Sequence, residues 1–320
     1  MVQAGGKSRK IYPFRNDFVF KFVFGKPGNE EILARLIDAL MHFEGERCIE
    51  TLDLLSPLNL KAFNDDKFTI VDVRAVDRAG RRFSIEMQVS AEPGFEKRMT
   101  YYLALFYAGQ LREKESFTKL CPTYGIAILD FIMFPGHDRL QSGYLFRERE
   151  TGEALPDLME LHFVELPKYR VRRRALRSRL EKWLYVLKFG ELYAADRPLP
   201  ADLEHDKELA MAIRELRKVN ADDQMRAILE QRDKEERILI TRLESALNEG
   251  LVKGIAKGRE EGIAKGREEG ITKGREEGIV KGCYAVAQRM LRLGIPIATI
   301  AASTGLSEQE IEKLKRESEE

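Results

Sequence analysis

Residues 71–88 hold the pattern that most narrows the fold: two runs of alternating apolar and polar residues that meet at Asp77-Arg78-Ala79-Gly80. A period of two around a glycine-containing turn predicts a β-hairpin. Val71, Val73 and Ala75 share one face of the first strand, with Asp72 and Arg74 on the other. On the second strand Phe83, Ile85, Met87 and Val89 oppose Ser84, Glu86 and Gln88. A three-residue loop with Gly80 in the left-handed region sets Asp77 across from Arg81, Val73 across from Ile85, and Asp72 across from Glu86. An even loop would slip the pairing by one and set polar against apolar, so the pattern selects the odd one. Asp72 and Glu86 then repel each other across the strands. A divalent cation between them removes that cost, and two carboxylates with open coordination positions suit Mg²⁺.

Around the hairpin the periodicity becomes helical. Asn16 or Asp17 caps a short helix carrying Phe18, Phe22 and Val23, and residues 30–43 resume as an amphipathic helix after a break at 25–29. Residues 51–61, with Pro57-Leu58-Asn59-Leu60, supply a first strand. Residues 95–114 read as a helix whose Met99, Leu103, Phe106, Tyr107 and Gln110 pack inward, while Arg98 and Tyr102 stand one turn apart. The nearly continuous apolar run 124–134 reads as a strand buried on both faces. Loops or an edge hairpin over 136–156 lead to a further strand at 162–166, which Pro167 stops, and residues 176–194 form a closing helix.

One basic segment stands out: Lys168, Arg170, Arg172, Arg173, Arg174, Arg177, Arg179 and Lys182, with Glu181 the one acid among them. Such a density reads equally as a footprint for a nucleic-acid backbone or as the solvated side of a loop and helix start.

An Asp on one strand followed by Glu86-x-Gln88 on the next resembles the PD-(D/E)XK nuclease superfamily. Asn16-Asp17-Phe18-Val19-Phe20-Lys21, Ile85-Glu86-Met87-Gln88 and Lys97-Arg98-x-x-Tyr101-Tyr102 are similar to its transposase-like branch, the recombination-promoting nucleases, over residues 14–135. The resemblance implies an α/β fold with a restriction-endonuclease-like αβββαβ core and a central mixed sheet, followed by a mainly helical C-terminal extension. It implies a Mg²⁺-dependent (or Mn²⁺-dependent) endonuclease on double-stranded DNA, with Asp72 and Glu86 as metal ligands and Gln88 orienting a water or phosphate oxygen. Arg98 and Tyr102 would hold the substrate phosphate near the metal, against a plainer reading as an ion pair and a core tyrosine. Asp17 would approach the metal, against a plainer reading as a helix cap. The superfamily pattern has Lys where this chain has Gln88, and Gln supplies hydrogen bonds but no charge. That departure sustains a second reading, a weakened nuclease fold that binds DNA or partners and assembles through its tail.

Composition sets the remaining bounds. The chain has 320 residues and a net charge of +1, so any basic footprint must be local. Cys48, Cys121 and Cys283 and the four histidines are scattered, which excludes zinc sites of the usual spacings and suits a reducing cytoplasm. The N-terminus lacks the apolar core of a signal peptide, and no apolar run approaches the ~20 residues of a membrane span. The segmentation is a nuclease core over 1–197, a charged helical region over 198–249 with little core of its own, a repeat over 250–282, and a helical tail over 283–320.

Within the repeat, glycine recurs at every fourth position from Gly250 to Gly282 in units of Glu-Gly-Ile-x-Lys-Gly-Arg-Glu. As a helix, each interior glycine costs about 1 kcal/mol against Ala, while charge pairs such as Glu261 with Lys265 return only ~0.3–0.5 kcal/mol each. The segment is therefore either a flexible linker or a helix stabilised by close approach of another copy along its glycine stripe. Beyond it, helices at 284–293 and 297–303, and a third opened by the capping box Ser307-x-x-Glu310, make a helix-turn-helix-like tail. Glu308, Glu310 and Glu312 stand where base-contacting residues belong, which favours a packing bundle over an operator reader.

Overall fold

The computed structural model describes residues 10–55, 73–170, 176–195 and 197–319. Asp72, residues 57–60 of the expected first strand, and Arg172, Arg173 and Arg174 lie outside the described residues. The chain divides into two compact units, Met1–Arg232 and Asp233–Glu320.

In the first unit, α1 (Asp17–Phe24) starts where the Asn16 side chain accepts from the Val19 amide, so Asn16 is the cap and Asp17 the first helical residue. Asn29 donates to the Val23 carbonyl at 2.7 Å and turns the chain into α2 (Glu30–Met41). The strands β1 (Leu52–Leu54), β2 (Val73–Asp77) and β3 (Arg82–Gln88) follow, antiparallel in turn.

The hairpin register is the one the alternation selects, with Val73 opposite Ile85 and Ala75 opposite Phe83. The Asp77 amide donates to the Arg81 carbonyl at 3.0 Å, and Gly80 closes the loop at φ +82°. Glycine is required there twice over. That backbone region disfavours a side chain, and a Cβ would stand 2.6 Å from the Cys121 sulfur.

After α3 (Phe95–Ala108) come β4 (Thr123–Leu129), β5 (Gln141–Leu145) and β6 (Met159–Glu165). The sheet has six strands in the order β1-β2-β3-β4-β6-β5. β3, β4 and β6 run parallel, and β5 lies antiparallel at the edge as the expected edge element. Every residue of β4 is buried, as a central strand covered on both faces requires. Its side chains alternate between two cores: Tyr124, Ile126 and Ile128 join the large cluster with α1 and α2, whereas Ala127 and Leu129 pack with Phe95, Met99 and Leu103 of α3. Phe83, Ile85 and Met87 also enter the large cluster, which leaves Ser84, Glu86 and Gln88 on the α3 side of the sheet.

α3 stops at Gly109, six residues short of the expectation ending at Lys114 by the numbering of its last helical residue, Ala108. Gln110, read as part of the packing face, instead brackets the chain entering β4: its side chain donates to the Cys121 carbonyl and accepts from the Cys121 amide, both at 2.9 Å. The closing helix is α4 (Arg179–Phe189), opened by a capping box between Ser178 and Glu181 and followed by a short 3-10 turn through Tyr193.

The charged region over 198–249, expected to have little core of its own, lends apolar side chains to the large cluster as far as Leu229. α5 (Ala201–Glu204) and α6 (Lys207–Ala221) put Leu203, Leu209, Ile213, Leu216 and Val219 into the large cluster, and Met225 and Leu229 continue it. Asn220 ties the helix to the chain start, accepting from the Tyr12 amide at 2.8 Å and donating to its carbonyl at 3.0 Å.

α7 (Asp223–Arg292) carries the glycine repeat as helix and ends in the second unit, where the expected helix at 284–293 is its last part. Turns at Gly294 (φ +76°) and Gly305 (φ +75°) frame α8 (Ile297–Thr304), and α9 (Glu308–Glu319) completes the tail. Ala287, Ile300, Ile311 and Leu314 form a small core there. Among the described residues no helix is long and apolar enough to cross a membrane.

Candidate active site

The parallel strands β3, β4 and β6 all end at one edge of the sheet, the edge where α/β proteins place their ligands. Two elements bring side chains together there. β3 ends in Glu86 and Gln88, and α3, starting after Gly94 (φ +76°), carries Arg98 over them. The Arg98 guanidinium makes a three-way clasp. Its Nη2 donates to Glu86 Oε1 and to Gln88 Oε1, each at 3.0 Å, and its Nη1 donates to Glu92 Oε2 at 2.6 Å. Gln88 donates in turn to Glu92 Oε1 and to the Ser90 carbonyl, each at 3.0 Å.

Oxygens of Glu86, Gln88 and Glu92 thus converge on a single positive group. Gln88 is only 9% exposed, and the Glu86 side chain 20%.

The other expected site residues are placed as follows. Tyr102 is 44% exposed and so is no core residue. The Asp17 carboxylate pairs with Arg232 at 3.1 Å and accepts from the Phe18 amide. Lys168 is a correction. Its amine lies inside the fold at 2.6 Å from Glu165 and 2.7 Å from the Phe134 carbonyl, with side-chain exposures of 4% for Lys168 and 0% for Glu165. A buried amine committed in this way offers no charge to a phosphate. Arg170 and Arg177 are exposed. Near them, burial lowers the Lys188 pKa, and this amine donates to the Leu166 and Tyr169 carbonyls at 2.9 Å.

One participant was not among the expected site residues: Glu92 is an arm of the clasp. Two further cations lie on the α3 side of the hairpin: Arg74 and Arg82 hold their guanidinium carbons 5.0 and 5.5 Å from the centroid of the Phe106 ring, near the end of α3 remote from Arg98. The signal was available: both alternate in phase with Glu86 and Gln88 in the same period-two pattern.

The donors fit a hard divalent cation. Glu86 and Gln88 offer oxygen ligands only, and Mg²⁺ needs one or two carboxylates while keeping waters. Among the described residues no group of three or more His, Cys, Asp or Glu side chains is placed to hold a metal, so a site here would draw on Glu86, on Asp72 and on substrate oxygens.

In the tail, the acidic residues that weighed against DNA contact are partly committed. Glu310 accepts from the Ser307 hydroxyl at 2.7 Å, the Ser307 amide at 2.9 Å and the Tyr284 hydroxyl at 3.0 Å, bonds that hold its carboxyl below the usual pKa. Glu312 pairs with Arg316 at 3.7 Å.

Compared with known families, residues 14–246 match the PD-(D/E)XK nuclease family transposases, and residues 284–316 match the C-terminal HTH domain of the Rpn/YhgA-like nuclease family. No curated protein and no solved structure matches the chain.

Proposed function

The chain belongs to the PD-(D/E)XK nuclease family transposases, and from that premise we propose that it is a Mg²⁺-dependent DNA endonuclease, with Mn²⁺ as a substitute ion. The supporting observation is the convergence of Glu86, Gln88 and Arg98 at the carboxyl edge of the parallel strands. Glu86 and Asp72 would hold the ion, which when bound supplies a Lewis acid for the scissile phosphate and a more acidic attacking water. Gln88 would orient that water through its amide. Arg98 sits where a phosphate oxygen would need a counter-charge, and its fork of donors matches phosphate geometry. Arg170 and Arg177, together with Arg172, Arg173 and Arg174, would track the DNA backbone. In this reading the activity belongs to DNA recombination in a reducing cytoplasm, where the three free cysteines would stay reduced.

The test is plasmid nicking with Mg²⁺. Wild type is expected to cut, while Asp72→Ala and Glu86→Ala lose cutting and keep DNA binding. A wild type that binds DNA yet cuts with neither Mg²⁺ nor Mn²⁺ would leave the weakened, interaction-only reading in its place. That second reading draws support from the ion pair Arg98 makes with Glu86, because the pair neutralises a metal ligand.

The tail would serve as a second DNA-contacting unit, as its HTH match and the engaged Glu310 suggest. The repeat of α7 would join copies of the chain. A Cβ added at any glycine from Gly250 to Gly282 meets nothing within 4 Å, so nothing among the described residues requires glycine there. Ile255, Ile263, Ile271 and Ile279 are each 58–63% exposed at intervals of eight. A helix carrying that many glycines at about 1 kcal/mol each needs an outside source of stability, and a second copy supplies it through close backbone approach. Sedimentation of the full chain is expected to show an oligomer that Ala replacements at Gly258, Gly262, Gly266 and Gly270 dissociate; a monomer at all concentrations rejects the idea.

A further inference from the structure

One face of α3 is left over once the clasp and the core are accounted for. Arg98, Tyr101, Tyr102 and Leu105 fall at helical positions i, i+3, i+4 and i+7, so they share a stripe. The neighbouring stripe, Phe95, Met99, Leu103 and Phe106, about a quarter turn round the helix, is buried. Tyr101 is 61% exposed, Tyr102 44% and Leu105 51%, and the two tyrosine rings lie edge to face with centroids 5.6 Å apart. Large apolar surface of this extent, continuous along two turns, is unusual without a partner.

The surroundings indicate what that partner is. At one end the stripe reaches Arg98 and, through it, Glu86 and Gln88. Towards its other end, Arg74 and Arg82 bring two guanidinium groups to the same ring, that of Phe106, the last buried residue of the same helix. Cations beside exposed aromatic rings are the arrangement that holds a single nucleic-acid strand, its phosphates on the arginines and its bases on the rings. A paired duplex cannot use such rings, because its bases are already stacked on each other.

We infer that Tyr101 and Tyr102 form a stacking platform for unpaired bases next to the cleavage site, so that the DNA taken is a single strand or a locally melted stretch of duplex. The inference rests on the nuclease reading for the identity of its ligand, and deepens it by naming the form of DNA. Arg74 and Arg82 hold the phosphates of the same strand. Tyrosine suits the task because each base offers a flat face whatever its sequence, so the platform selects strandedness and not sequence.

The test is binding of the full chain in EDTA, which suppresses metal-dependent cutting, read by anisotropy of three labelled oligonucleotides of one length. These are a single strand, the same strand paired as a duplex, and the single strand with abasic sites that keep phosphates and lack bases. Wild type is expected to prefer the intact single strand. Tyr101→Ala should weaken that binding by about tenfold, leave the duplex unchanged, and bind the abasic strand as wild type does; Tyr102→Ala should weaken single-strand binding likewise. Tyr101→Phe and Tyr102→Phe keep the rings and should bind like wild type, which also controls for misfolding. Equal losses on all three probes, or no loss on any, overturn the platform. So does a changed sedimentation pattern in the alanine variants with DNA binding intact, since the stripe would then be an interface between copies. A wild type that prefers the single strand yet never nicks a plasmid supports the platform and refutes the enzyme reading alone.

Discussion

Arg98→Ala is expected to lower nicking by about 10²–10³-fold, the usual loss when one preorganised donor to a developing charge is removed, and adding Gln88→Lys to the same chain is expected to restore much of it. The reason is positional. The superfamily pattern resembled by this chain places a cation at residue 88, and Gln88 brings none. The structure brings one in from the neighbouring helix: Arg98 Nη2 stands 3.0 Å from Gln88 Oε1 and equally 3.0 Å from Glu86 Oε1. If the site needs a charge at that point and not a particular residue to carry it, a lysine at 88 can take over when the arginine is gone. Arg98→Lys should recover less, because one ammonium cannot reproduce a fork that meets Glu86, Gln88 and Glu92 together. Gln88→Lys alone should gain nothing, since two cations would then compete for Glu86. The readout is initial nicking rate, with thermal melting of each variant to confirm folding. A folded double variant as inactive as Arg98→Ala defeats the idea of a relocated charge.

What could be read from the sequence depended on how local its cause was. The hairpin was legible because strand period, loop length and the need for Gly80 all act within about twenty residues, and each alone would have been ambiguous. The strand β4 was legible because burial on both faces leaves no polar positions at all. Strand order was not, since placing β6 between β4 and β5 follows from packing across distant segments. The share of α6 in the main core was not legible either, for a different reason. Its exposed side carries so many charges that the segment resembles a solvated helix, although Leu209, Ile213 and Leu216 make an unbroken apolar stripe on the other side. Arg74 and Arg82 alternate in phase with Glu86 and Gln88, but their place against Phe106 follows from packing between the hairpin and α3, which no local period encodes. The ion pairing of Arg98 was among its expected readings, but its reach to Glu92 depends on how the chain turns at Gly94, and no residue spacing encodes that.

Lys168→Met should destabilise the protein by about 3–5 kcal/mol, the range for leaving one partner of a buried ion pair without the other. In a run of basic residues Lys168 looks like its neighbours, and the sequence gives no warning that it differs. The difference is made by Glu165, the last residue of β6, which is 0% exposed. Its Oε1 accepts from the Met133 and Phe134 amides at 2.7 and 3.0 Å, fastening the chain that leaves β4, and its Oε2 takes the Lys168 amine. Removing the amine strands a carboxylate in the interior and also frees the Phe134 carbonyl to which that amine donates. Glu165→Gln combined with Lys168→Met should recover a large share of the loss, because the glutamine oxygen can still serve the two amides and carries no charge to be neutralised. Denaturant melts of the four chains close this cycle. The same variant separates the structural role from the one the charge run suggested. A lysine on phosphate would change the slope of DNA affinity against salt by about one counterion, whereas Lys168→Met, measured where it is still folded, should leave that slope unchanged. A melt within 1 kcal/mol of wild type, or a reduced salt slope, would return Lys168 to the DNA-facing surface.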